Sequence, residues 1–181
     1  MSHADFAGFR LSAQQQRYWQ LCTTWDKSPF GTYGRVRLDG PLDSERLEHC
    51  LQQISLRHEA LRTRLQSVPG VGLPLQVIAA TSVSLARRHD CTLLSPPLQA
   101  QVGEAHWQEF QNRPLQGQAL TVELVQCTAS MHILLLALGG QSGDARSLHL
   151  LLQEWMAAYH GAVLPEVELQ YADYAEWQQE V

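Results

Sequence analysis

The chain has 181 residues, enough for one domain or one lobe of a larger domain. Its apolar share of 45% suits a globular core, and its net charge of −5 excludes non-specific attraction to nucleic acid or to an anionic membrane surface. No apolar run reaches membrane-spanning length, and the opening MSHADFAGFRLSAQ lacks the basic-then-apolar order of a signal peptide, so a cytoplasmic location is expected. Cys22, Cys50, Cys91 and Cys127 are far apart, without CxxC spacing, so reduced and mostly buried thiols are expected rather than a zinc or redox motif. Lys27 is the only lysine. The arginine bias suits bidentate pairing with carboxylates, and a GC-rich genome produces the same bias.

In chain order, Ser12–Leu21 reads as a helix with Ser12 as N-cap and Gln15 three residues on, and Thr23–Gly31 as a loop. Tyr33–Leu38 alternates as a strand and ends at Asp39-Gly40-Pro41. Asp43 or Ser44 caps a helix to about Arg57, with Leu47, Cys50, Leu51 and Ile54 facing inward. Leu61–Ser67 and Leu75–Ile78 read as strands around Val68-Pro69-Gly70. Ser95–Asn112 reads as an amphipathic helix, and Leu120–Cys127 and Met131–Leu138 as strands joined at Thr128-Ala129-Ser130. A helix over Ala145–His160 buries Leu148, Leu151, Leu152 and Trp155, and a last helix begins near Tyr171. The mixed order of elements predicts an α/β fold, a mixed sheet flanked by helices.

The segment Ser130–Trp155 is the strongest local signal: a buried strand feeds a helix through Gly139-Gly140 and Asp144. Such a turn can cradle a phosphate with backbone N–H groups. This one lacks the Lys-Ser/Thr of a P-loop and the spacing of GxGxxG, and Asp144 would repel an anion, so nucleotide binding is disfavoured. No HxxxH or HExxH spacing points to a metal. His132 reads as a packed or edge histidine, His58 as a brace at a helix end, and His149 and His160 as structural. Tyr171, Asp173, Tyr174 and Trp177 resemble a catalytic cluster, but their helical spacing favours core packing and capping.

Four segments together resemble nonribosomal peptide synthetase condensation domains. LSAQQQRYW (Leu11–Trp19) is similar to LSxAQxRLW at Leu11, Ser12, Gln15, Arg17 and Trp19, departing at Gln14 and Tyr18. RHEALRTRL (Arg57–Leu65) is similar to RHExLRTxF in all but its last position, and YADYAEWQ (Tyr171–Gln178) to YxDYAxWQ throughout. GGQSGDARS (Gly139–Ser147) falls where the family has HHxxxDGxS, and FQNRPLQGQALTVEL (Phe110–Leu124) is similar to FDLxxGPLLRxxL.

The resemblance implies one lobe of the two-lobed chloramphenicol acetyltransferase-like fold: residues 1–181 as the N-terminal lobe, with the C-terminal lobe absent. Family members join carrier-bound thioesters into an amide in antibiotic and other secondary-metabolite biosynthesis. The second motif histidine handles the amine proton, work that suits imidazole because its pKa lies near neutrality. Here Gly139 and Gly140 replace both histidines and Ala145 replaces the final glycine, so only Asp144 of the HHxxxDG core survives. No catalytic residue is assigned. In the family the motif aspartate pairs with the arginine that is Arg62 here, which implies a structural Arg62–Asp144 pair.

The expected function is therefore a truncated, non-catalytic element with a structural, docking or interface role in a peptide synthetase. The alternative is a catalytic half-domain that needs a separate C-terminal lobe. No directly bound cofactor or metal is expected. Phosphopantetheine-linked substrates would arrive on carrier proteins if the chain were active. Expected partners are neighbouring synthetase domains or carrier proteins, with a C-terminal lobe or a homodimer as further options.

Overall fold

The computed structural model describes residues 8–24, 30–115 and 117–180. Helix α1 (Ala13–Thr24) starts at a reciprocal cap. The Ser12 hydroxyl accepts from the Gln15 backbone N–H at 3.2 Å, and Gln15 Oε1 accepts from the Ser12 N–H at 3.0 Å, so two otherwise orphaned donors are satisfied. Strand β1 (Gly31–Asp39) follows, then α2 (Ser44–Arg57). Asp43 is the cap of α2, accepting from the Glu45 and Arg46 amides at 3.1 and 3.0 Å.

The segment expected as one strand from Leu61 is instead a 3-10 turn (Glu59–Arg62) and a short β2 (Thr63–Gln66). Strand β2 pairs with β3 (Leu75–Ile78) as a separate antiparallel ribbon. The sequence reading has no strand at β4 (Arg87–Asp90), because RRHD lacks both apolar alternation and β-branched residues. Its pairing with β5 holds it in place instead. Helix α3 (Pro96–Asn112), β5 (Leu120–Thr128), β6 (Met131–Gly139), α4 (Ala145–Tyr159) and α5 (Tyr171–Trp177) complete the order.

The main sheet runs β1-β6-β5-β4. The β1–β6 and β5–β6 pairs are antiparallel and β4–β5 is parallel, so the sheet is mixed. Strands β5 and β6 are central and covered on both faces, which explains the near-continuous run Ile133–Leu138. Residues two apart share a face. Val122, Leu124, Leu134, Leu136 and Leu138 meet Leu47, Leu51 and Ile54 of α2 and Leu148, Leu151 and Trp155 of α4. On the other face Val125, Cys127, Leu135 and Ala137 meet Phe110 of α3.

Trp155 is fully buried, and its indole N–H donates to the Leu47 carbonyl at 2.9 Å, pinning α4 to α2. Truncating such a residue costs about 3–5 kcal/mol. Cys50, Cys91 and Cys127 are buried free thiols, and Cys22 is half-buried. Among the described residues no helix is long and apolar enough to cross a membrane.

Candidate active-site turn

Strand β6 ends at Gly139 and α4 begins at Ala145, so the motif segment forms the connection between them. The turn is closed by backbone contacts. Gly139 N–H donates to Ala119 O at 2.8 Å, Gly140 N–H to Phe30 O at 3.0 Å, and Ser142 N–H to Gly139 O at 2.8 Å. Asp144 caps α4: one carboxylate oxygen accepts from the Ser147 amide at 2.9 Å and from its hydroxyl at 3.0 Å. Those hydrogen bonds, the backbone one first, hold the exposed Asp144 carboxyl below the usual carboxylate range.

The glycine pair sits in space that its neighbours already fill. A Cβ on Gly139 would lie 2.6 Å from Gln141 Oε1 and 2.7 Å from the Gln118 carbonyl. On Gly140 it would lie 2.8 Å from the Tyr18 ring and 2.9 Å from the Phe30 carbonyl. Carbonyl oxygens of the main chain cannot swing aside as a flexible side-chain tip can. A side chain at either position therefore requires the surrounding main chain to shift.

Neutral amides brace this turn. Gln141 is buried, and its Nε2 donates to the Gly117 and Gln118 carbonyls, each at 3.2 Å. Gln15 Nε2 donates to the Gln141 carbonyl at 3.2 Å and to Gln76 Oε1 at 2.9 Å, and Gln76 Nε2 donates to the Arg10 carbonyl at 2.8 Å. The first motif, the β2–β3 ribbon and the turn are thus joined through three glutamines, two of which no motif reading singled out. The sequence carries a signal for one of them, since Gln15 is a matched motif position. A cleft of ≈ 270 Å³ lies beside the turn, bordered by Gln14, Gln15, Gly140, Asp144, Ser147 and Tyr171. The Tyr171 and Ser12 hydroxyls are 2.8 Å apart, so the fourth motif also reaches the first.

The implied Arg62–Asp144 pair is not formed. Arg62 donates to the Ala79 carbonyl, to Leu56 O at 3.5 Å and to Glu59 Oε1 at 3.5 Å, while Asp144 is committed to Ser147. The 3-10 turn directs the guanidinium at its own segment and at the end of β3 instead of at the cap of α4. Ala145 opens α4 and is exposed.

Of the YADYAEWQ residues, Asp173 does cap: it accepts from the Gln170 N–H at 3.1 Å. Tyr174 and Trp177 are 38% and 58% exposed, which corrects the expectation of core packing; Ala172 and Ala175 form the buried side of α5. His58 caps α2 and bonds Glu154 at 2.6 Å, His160 caps α4, and His149 is exposed on α4. His132 is buried on β6, and burial holds its imidazole below the usual histidine range.

A denser titratable cluster lies under α3. Glu123 of β5 has a side chain only 2% exposed; it accepts from Arg113 and is hydrogen-bonded to His89 at 3.0 Å. Burial alone would raise its carboxyl, but these hydrogen bonds and charges bring it below the usual range. His89 and His106 rings lie 4.1 Å apart, and burial, helped by His89, lowers His106. A lone glutamate in the apolar run Leu120–Cys127 was the sequence signal for this cluster. Among the described residues no group of three or more His, Cys, Asp or Glu is placed to hold a metal ion.

The family model for the condensation domain matches residues 8–181. The chain belongs to the condensation-domain family. It is 33% identical to tyrocidine synthase 3 of Brevibacillus parabrevis over 153 residues, 81% of the chain, and 32% identical to chondramide synthase cmdD of Chondromyces crocatus over 198 residues, 99% of the chain. It spans 2% and 5% of the lengths of those relatives.

Among solved structures, it superposes on the X-domain in its complex with OxyB from teicoplanin biosynthesis with a TM-score of 0.81 at 23% identity, covering 99% of this chain and 39% of that one. The starter condensation domain of rhizomide synthetase gives 0.80 at 16% identity, covering 96% and 43%. Both matches show the chloramphenicol acetyltransferase-like condensation fold, and with it the mixed α/β sheet expected from the sequence.

Proposed function

We propose that this condensation-family chain is a non-catalytic lobe with a structural, docking or interface role in a peptide synthetase. The observation that carries this reading is the filled space around Gly139 and Gly140. Amide formation between two carrier-bound thioesters needs a group that accepts or positions the amine proton, and losing such a group removes about 10²–10⁴ in rate. Asp144, the one carboxylate the motif keeps, is tied to Ser147 and braces the helix. The glutamine bracing serves the same end, because it fixes the turn without offering a group that titrates near neutrality.

The assignment to the N-terminal lobe of a two-lobed domain is supported by coverage: nearly all of this chain aligns with about two fifths of each solved condensation-fold chain. Carrier proteins bearing phosphopantetheine-linked acyl groups, neighbouring synthetase domains and a C-terminal lobe are the partners this reading implies. The X-domain structure, a complex with OxyB, supplies a case in which this fold is held by a protein partner.

The test is to mix the chain with aminoacyl- and peptidyl-loaded carrier proteins, with and without a separately produced C-terminal lobe. Retained binding with no amide product in either mixture is expected. Amide product in either mixture, above the rate without the chain, would overturn the reading.

A further inference from the structure

A cavity of ≈ 470 Å³ lies between the N-terminal half of α3 and the β1–β6 side of the sheet, larger than the ≈ 270 Å³ cleft at the motif turn. Gly103 of α3, Cys127 of β5 and Met131 and Ile133 of β6 supply its apolar wall. Arg35 and Arg37 stand at its edge. They are two apart on β1, so both project to the α3 face, while Val36 and Leu38 pack into the core on the other face. Pockets of this size, mostly apolar with a few convergent polar groups, are where small ligands bind.

Two features bear on what the space can hold. Glycine inside a helix costs about 1 kcal/mol relative to alanine and is retained where something must approach closely. Gly103 is buried, yet a Cβ there would have one neighbour within 4 Å, the Arg35 Nη2 at 3.8 Å. No protein group approaches closely enough to require the glycine, so a side chain would project into empty cavity.

The second feature is the charge at the edge. Arg35 meets Glu104 at 2.9 Å and Arg37 meets Asp39 at 2.8 Å, and all four side chains are substantially exposed. Exposed pairs of this kind are worth about 0–1 kcal/mol, so each guanidinium fork can turn to an incoming carboxylate at little cost. Their positive charge also reaches the cavity floor: burial and neighbouring Cys91 push the Cys127 thiol up, while Arg35 and Arg37 oppose that shift.

We propose that this cavity binds a medium-chain aliphatic carboxylate, with the alkyl chain between Gly103, Cys127, Met131 and Ile133 and the carboxylate on Arg35 and Arg37. The site is separate from the motif turn and does not depend on whether the turn is catalytic.

The experiment is calorimetric titration of the full chain with decanoate, with decanol as the uncharged control. Three variants accompany it: Gly103→Leu, Gly103→Ala and the double variant Arg35→Gln/Arg37→Gln. Decanoate binds saturably and decanol at least tenfold more weakly. The arginine double variant loses about tenfold or more in decanoate affinity, since hydrogen bonds to charged groups are the strong ones. Gly103→Leu abolishes binding. Gly103→Ala weakens it by roughly 10-fold, the effect of one methyl-sized change in an apolar pocket, and raises the melting temperature by improving the helix.

Absence of decanoate binding to the native chain overturns the proposal. So does equal affinity for decanol, which would remove the arginines from recognition, and so does decanoate binding that persists in Gly103→Leu while that variant keeps the native circular dichroism. If Gly103→Leu fails to fold, the Gly103→Ala arm decides in the same sense.

Discussion

The β6–α4 turn and the space under α3 are built from opposite materials. At the turn, backbone carbonyls and three neutral glutamines do the bracing, and the one carboxylate, Asp144, is spent on a helix cap. Under α3, Arg113, His89 and His106 crowd around the buried Glu123. The turn that carries the motif segment has Gly139 and Gly140 at its start and one carboxylate. The place rich in titratable groups lies under α3, away from the motif cleft. Ionisable density alone therefore does not mark a reaction centre; here it marks how α3 and β4 are held to the sheet.

The contrast can be broken most forcefully at Glu123. Glu123→Gln keeps the shape but leaves Arg113 and His89 facing a neutral amide. The expected loss is about 3 kcal/mol, the low end for a buried pair because Arg113 stays 30% exposed. Urea denaturation measures it, and a loss well under 1 kcal/mol would show that the cluster is solvated. Acidification is the next probe. His132 and His106 are held below the usual histidine range, so they remain neutral in the folded chain while the unfolded chain takes up protons. Stability therefore begins to fall as pH drops below about 6.5. Glu123 and Asp144, held below the usual carboxylate range, contribute stability that is present above that range and lost as pH falls through their folded values. Urea midpoints from pH 7 to pH 3 should decline in these two stages, and a flat profile between pH 7 and pH 5 would remove the histidine stage.

At the turn, Gly140→His is expected to destabilise by about 2 kcal/mol through overpacking against Tyr18 and the Phe30 carbonyl, with no gain in amide formation. Restored activity would show that the turn opens readily. The smallest effect is a null one. A double-mutant cycle on Arg62→Ala and Asp144→Ala should give coupling within about 0.5 kcal/mol, because the two side chains bond different segments. Asp144→Ala alone should still lower the melting temperature, with Asp144→Asn restoring much of it, as expected of a helix cap.

The sequence made the sheet and its helices legible wherever period and capping agreed. Ile133–Leu138 has the length and apolar continuity of a doubly covered strand, and Ser12 with Gln15 spells a cap that the structure contains. Strand β4 was illegible because Arg87–Asp90 is polar and owes its extended form to a parallel neighbour far along the chain. The turn was legible as a loss of histidines, but not as a closed space. That closure depends on Tyr18, Phe30 and Gln118, which come from elsewhere in the chain. The Arg62–Asp144 pair failed because motif identity carries a partner only when the local backbone aims it, and the 3-10 turn aims Arg62 elsewhere.

The register of β1 has a consequence in time. Asp39 pairs with Met131 and Gly31 with Gly139, so β1 has no sheet partner until β6 has been synthesised. At about 5–20 residues per second, the nascent β1 waits roughly 5–20 s for its partner. Until then Tyr33 and Val36 have no sheet to pack on. The edge strand nearest the start of the sheet therefore pairs only after the β5–β6 hairpin has been made.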